Sequence, residues 1–298
     1  MAKRYLQGEF GPRDSVAYAM AVCLPPKVER VLEYEALARA GDVDGVHDMR
    51  VATKRLREAA RVFRCAWGRK RSARYLEHLE RLNDALGAGR ELDVLAEQLQ
   101  ALMERCEELS QPLQPLLEHV LERRREADGQ LTRALDEALP CLREDFDHLL
   151  QERPAKRARV WEMPVGKLGR REVSRRAKAA FALEEKAVAP EAVAELHRMR
   201  IAIKRLKYAL EVFLPALGKR AAAAYQSISD LQELMGLVHD TDVLMGVLRE
   251  HSGGLLAPDA AQCALELAAA DRADLHAQML ALLAKIHRKK YPRILKKL

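Results

Sequence analysis

Val46-His47-Asp48-Met49-Arg50-Val51-Ala52-Thr53-Lys54-Arg55-Leu56-Arg57-Glu58-Ala59-Ala60-Arg61-Val62-Phe63 returns later in the chain as Leu196-His197-Arg198-Met199-Arg200-Ile201-Ala202-Ile203-Lys204-Arg205-Leu206-Lys207-Tyr208-Ala209-Leu210-Glu211-Val212-Phe213. The stretches align without a gap, and ten of their eighteen positions are identical. A repeat this dense makes internal duplication the organising feature of the chain. On a helix, His47, Arg50, Lys54, Arg57, Glu58 and Arg61 share an arc of about 100°. Met49, Ala52, Thr53, Leu56, Ala59, Ala60 and Phe63 take the opposite side. The second copy divides in the same way, with His197, Arg200, Lys204 and Lys207 facing away from Met199, Ala202, Ile203, Leu206, Ala209, Leu210 and Phe213. One face packs and the other is cationic.

The likeness continues downstream with a shift of one residue, Leu82–Leu95 lining up with Leu231–Leu244. Each half therefore reads as a long basic helix, a second helix, a Gly turn and a third helix whose opening acids, Asp93 and Asp242 among them, serve as N-terminal caps. Gly and Pro punctuate at helix-length intervals, at Gly68, 87–89, 112–115, Pro140, 154–169, Pro190, Pro215 and Gly253 among others, giving about ten helices. The segment 153–169, with two prolines, two glycines and dense positive charge, is expected to connect an N-terminal bundle (1–152) to a C-terminal one (170–298) within one duplicated domain. Composition agrees with an all-α fold: 298 residues, 49% hydrophobic and 32% charged but only 5% aromatic, a mixture that favours helix over sheet.

Lys and Arg exceed Asp and Glu by 51 to 44, a modest excess whose placement matters more than its sum. Ten bases face only Glu162 and Glu172 in 153–178, and seven bases with no acid fill 285–297. That tail either solubilises the terminus or adds a polyanion contact. In the repeated helices the bases stand three and four apart over about 15 Å, an arrangement that costs a few tenths of a kcal/mol per pair. A local cost incurred twice suggests a compensating polyanion, which turns repulsion into attraction and releases counterions. Secondary contacts are expected from Arg55, Arg61 and Arg205, and from a second basic stripe, Lys70, Arg74, His78 and Arg81. The later copy has Ala223 and Ser227 at the equivalents of Arg74 and His78, so the site should lean toward the first half.

Five scattered cysteines without a C-x-x-C pair argue against a disulfide framework or a cysteine zinc site and fit a reducing cytoplasm; Cys65 is expected to pack on a helix interior. The apolar run 15–24 has acids before it and no small-residue cleavage signal, so no signal peptide is expected. No apolar run approaches membrane-spanning length, and no membrane partner is expected.

The two helices V-H-D-M-R-x-A-x-K-R-L-R and L-H-R-M-R-x-A-x-K-R-L-K, each followed by L-G-x-x-(R/H)-(E/D)-x-D-V-L, resemble the CHAD family, the conserved histidine α-helical domain, over about 14–295. The resemblance implies two four-helix bundles related by a pseudo-two-fold axis, with a basic groove or pore between them that binds inorganic polyphosphate, and an association with polyphosphate granules. It puts His47, Arg50, Lys54, Arg57, His197, Arg200, Lys204 and Lys207 on ligand-lining positions. Lys54 and Lys204 stand where Arg is common, and His239 replaces Arg90, so affinity rather than ligand class is affected. Many relatives carry a triphosphate-tunnel catalytic domain ahead of this one; its absence here leads us to expect no enzymatic activity. No cofactor and no metal are called for.

Two alternatives remain open. A metal-dependent phosphohydrolase lacks support, because no H-x-x-x-H, H-E-x-x-H or D-x-D-x-D-G pattern occurs and the repeated histidines sit among cations. Nucleic-acid binding accords with the basic pI, but apart from Tyr208 the cationic arcs lack aromatics for stacking and polar groups for base reading. Chain-length preference and oligomeric state are not written in the sequence.

Overall fold

The computed structural model describes residues 10–151 and 155–297. Residues 1–9, 152–154 and 298 lie outside the described residues, including Arg153 and Pro154 of the expected connection. The described chain is helical: α1 (Val16–Cys23), α2 (Pro25–Glu33), α3 (Glu35–Arg39), α4 (Val43–Trp67), α5 (Arg69–Arg105), α6 (Glu107–Gln151), α7 (Ala158–Trp161), α8 (Val165–Phe181), α9 (Glu184–Ala187), α10 (Val193–Leu217), α11 (Lys219–His251), α12 (Pro258–Arg288) and α13 (Tyr291–Lys296). No strand forms among these residues.

The repeated stretches are the centres of α4 and α10. Asp42 caps α4 by accepting from the Gly45 amide at 2.7 Å, and the helix runs for 25 residues to a break at Gly68, where the sequence placed one. Its apolar face is buried as the periodicity requires. Met49, Thr53, Leu56, Ala59, Ala60 and Phe63, with Met199, Ile203, Leu206, Ala209, Leu210 and Phe213, all have no exposed surface. Burying each of the large side chains contributes about 1.5–3 kcal/mol. The equivalent rings Phe63 and Phe213 meet edge to face, 5.8 Å apart, so α4 and α10 pack directly on each other. They also pack on the helices that follow them, α5 and α11.

The internal breaks are where sequence and structure part. No Gly turn forms after the second helix: α5 continues through Gly87 and Gly89, α11 through Gly236, α6 through Pro112, Pro115 and Pro140, and α10 through Pro215. Buried leucines on both sides, Leu82 and Leu86 before and Leu95 and Leu99 after, outweigh a helix penalty of about 1 kcal/mol per glycine. The glycines create room instead. A Cβ at Gly87 would lie 3.7 Å from the Arg50 guanidinium and one at Gly89 3.5 Å from that of Arg124, so these guanidinium groups pack against the bare glycine faces at ordinary contact distance. In α6, Leu109, Leu113 and Leu116 near one end and Leu135, Leu139 and Leu142 near the other are buried, which holds the helix together where proline removes a hydrogen bond.

The connection is more ordered than its composition suggests. Trp161 donates to the Ala66 carbonyl at 2.9 Å, and α8 already begins at Val165. A Cβ at Gly169 would stand 2.9 Å from the Phe213 ring, so this glycine permits close helix packing rather than loop flexibility. Two apolar clusters result. The larger gathers α1, α2, α4, α8, α10 and parts of α5, α6, α11 and α12. The smaller joins the distant ends of α5 and α6 to α11 and α12.

Candidate functional site

The cationic faces of α4 and α10 open into one cleft of about 490 Å³, walled by α5 and α11. His47, Arg50, Lys54 and Arg55 line it from α4, and Arg200, Lys204 and Lys207 from α10. The other two of the eight expected primary residues stand beside the cleft without lining it. Arg57 turns to Glu80, 3.3 Å away, and His197 stacks beside His239 with ring centroids 4.8 Å apart, leaving His239 to line the cleft.

The cations crowd one another. Arg50 reaches Glu91 at 3.3 Å and Lys207 donates to the Gln232 side chain at 2.8 Å. Lys54, Arg200 and Lys204 take part in no ion pair among the described residues, and the buried Nε of Arg200 has no hydrogen-bond partner. Burial, reinforced by Arg50, Lys204 and Arg200, lowers the Lys54 ammonium to about 6. Burial and then Arg200 and Arg50 lower Lys204 to about 8. Arg50 and Arg200 are shifted downward too, chiefly by burial. His47 is lowered by burial and Arg90, and His197 by burial and His239. The cleft holds charge at a cost that a bound anion would offset.

The secondary positions scatter. Arg55 pairs at 2.9 Å with Glu211, whose side chain is 5% exposed, and so ties α4 to α10. Arg61 bonds Glu58 and Glu80, each at 2.6 Å. Arg61 and Arg205 line a separate hollow that also holds Arg64, Arg157, Arg175 and Arg176. Lys70, Arg74, His78 and Arg81 are not brought to the cleft. Because α5 is unbroken, Arg74 lies about 24 Å along the axis from Arg90, and Arg81 pairs with Glu77 at 2.7 Å.

Arg90, Gln232, Tyr208 and His239 line the cleft without having been singled out as ligand positions. The alignment of Arg90 with His239 was a usable signal, but reading a turn at Gly87 put them on another helix. The cap reading of Asp93 and Asp242 is overturned for the same reason. Both sit within long helices, where Asp93 accepts from Arg124 at 2.6 Å in a buried pair and Asp242 accepts from Arg272. Cys65 is half-buried, and burial raises its thiol. Among the described residues no cluster of His, Cys, Asp and Glu could hold a metal ion, and no helix is long and apolar enough to cross a membrane.

Fold and site together define an all-α protein with a cationic cleft between two repeated helices. The CHAD domain family model matches residues 24–249, and the chain belongs to that family. It is similar over 93% of its length to the crystal structure of the CHAD domain from the plant Ricinus communis, with TM-score 0.74 and 23% identity over 93% of that chain. It is likewise similar to PptA from Streptomyces chartreusis, with TM-score 0.67 and 17% identity, covering 93% of this chain and 99% of that one. At these identities the likeness concerns the fold. Rv2226 of Mycobacterium tuberculosis, a protein described as uncharacterized, is 29% identical over 252 residues, which are 80% of this chain and 45% of that protein. The chain thus spans about half the length of that relative.

Proposed function

We propose that the protein binds inorganic polyphosphate, without turning it over, in the cleft between α4 and α10. One observation carries this reading: Arg50, Lys54, Arg200 and Lys204 converge from two helices into one concavity where burial and mutual repulsion disfavour their charge. A linear chain of phosphoryl groups supplies closely spaced negative charge along such a cleft, with Arg forks and Lys point charges holding its oxygens. Of the three acids that line the cleft, Glu91, Glu233 and Asp240, the first and last are engaged by Arg50 and His239. Tyr208, only 7% exposed, offers little ring surface for stacking a base. The family resemblance that suggests polyphosphate also suggests residence at cytoplasmic polyphosphate granules.

Calorimetric titration with long-chain polyphosphate, orthophosphate and duplex DNA tests the proposal. Tight binding is expected for the first alone. Arg50→Glu combined with Arg200→Glu should abolish it with helical circular dichroism unchanged. Retained affinity in that variant would place the site elsewhere, DNA competing at equal phosphate concentration would overturn the ligand, and steady phosphate release would overturn the absence of catalysis.

A further inference from the structure

One difference between the two copies lies outside the cleft, beside a buried arginine. In the first, Arg124 is clamped twice: its Nε donates to Asp93 and its Nη1 to Asp128, one helical turn further along α6. In the second, Arg272 donates from Nε to Asp242, the equivalent of Asp93. One turn beyond Arg272, however, stands His276 instead of a carboxylate. The outcome is a corner with unmet demands. Arg272 Nη2 and His276 Nε2 are both buried and without partners, and His276 is 5% exposed. The Val188 backbone lies beside the His276 ring and favours its protonated form.

Both residues line a pocket of about 500 Å³ that shares no residue with the cleft. Asp242, neutralised by its pair with Arg272, lines it too, the remaining wall is largely apolar, with Met245, Val193 and Leu280, and Arg249 adds a further cation. A volume of this order suits a small molecule, and leaving buried polar atoms unsatisfied is costly unless something fills the place. The first copy identifies the missing group, because there the chain itself supplies a carboxylate.

We propose that this pocket binds a small carboxylic acid with an apolar body, its carboxylate taking beside Arg272 the place that Asp128 takes beside Arg124. The apolar portion would lie against Met245 and Leu280. Carboxylate oxygens accept from Arg272 Nη2, and His276 gains a proton to donate from Nε2. The site is independent of polyphosphate binding and stands or falls separately.

Benzoate and hexanoate are the probes, with benzamide and hexanol as neutral counterparts and orthophosphate as a small anion without an apolar body. Methyl resonances of Met245 and the ring resonances of His276 should shift and saturate with either acid, and with none of the other three. His276→Asp, which rebuilds the first copy's clamp, should weaken the acids at least about tenfold while polyphosphate affinity is retained. Leu280→Trp, a surface change that fills the pocket without touching Arg272, should do the same and serves if His276→Asp fails to fold. Equal shifts with the neutral counterparts, no saturable shift with the acids, or undiminished binding in folded variants would each overturn the proposal, the first by showing an apolar cavity and the second by showing that water alone meets the two polar atoms.

Discussion

At the scale of single residues, the cleft is a collection of cations whose protonation depends on what occupies it. Lys54, at about 6, is mostly neutral at pH 7 when the cleft is empty, whereas Lys204, at about 8, is mostly charged. A polyanion favours the charged form of each and raises both values, so binding at pH 7 must take up about one proton, with Lys54 the main acceptor. The sign is then fixed. Affinity should rise as pH falls from 8 to 6, because the proton is increasingly in place before the ligand arrives. Titrations in buffers of differing ionisation enthalpy should show this uptake directly, and Lys54→Met should flatten the pH dependence.

At the scale of elements, the continuity of α5 and α11 decides what the repeated acids do. A cap at a helix start is worth about 1 kcal/mol. Removing one partner of a buried ion pair costs about 3 kcal/mol or more, because the other charge is stranded. Arg124 would keep Asp128 if Asp93 were removed, but Arg272 pairs with Asp242 where both side chains are largely buried, so Asp242→Ala should lower stability by the larger amount. Urea denaturation checks this, read as a shift in midpoint at constant slope. The apolar faces of α4 and α10 were legible from a period of 3.6 except at Ala202, which is half-buried and lines the separate hollow, and at Glu58, which is buried although it falls on the cationic arc. The glycines were not: Gly87 reads as punctuation until one sees that it lies inside α5 with the Arg50 guanidinium packed against it.

At the scale of the whole molecule, the charge that matters is sorted rather than summed. The chain exceeds neutrality by only +7, yet six cations besides the paired Arg55 (Arg50, Lys54, Arg90, Arg200, Lys204 and Lys207) share one cleft. Displaced counterions should make polyphosphate affinity strongly salt-dependent, falling on the order of a few hundredfold between about 50 and 200 mM salt. Anisotropy titrations across that range measure the slope, and a flat response would mean that few of these side chains touch phosphate.

The amino-acid sequence alone determined the helical class, the duplication and which face of each repeated helix is charged, because these follow from composition and local period. Only the tertiary structure decided that α5 and α11 run unbroken, that Arg90 and His239 line the cleft, and that Arg272 lacks the second carboxylate Arg124 enjoys. The reason is physical. Helix-breaking tendencies of about 1 kcal/mol are overruled by long-range packing, and the partner of a buried charge is chosen by residues distant along the chain.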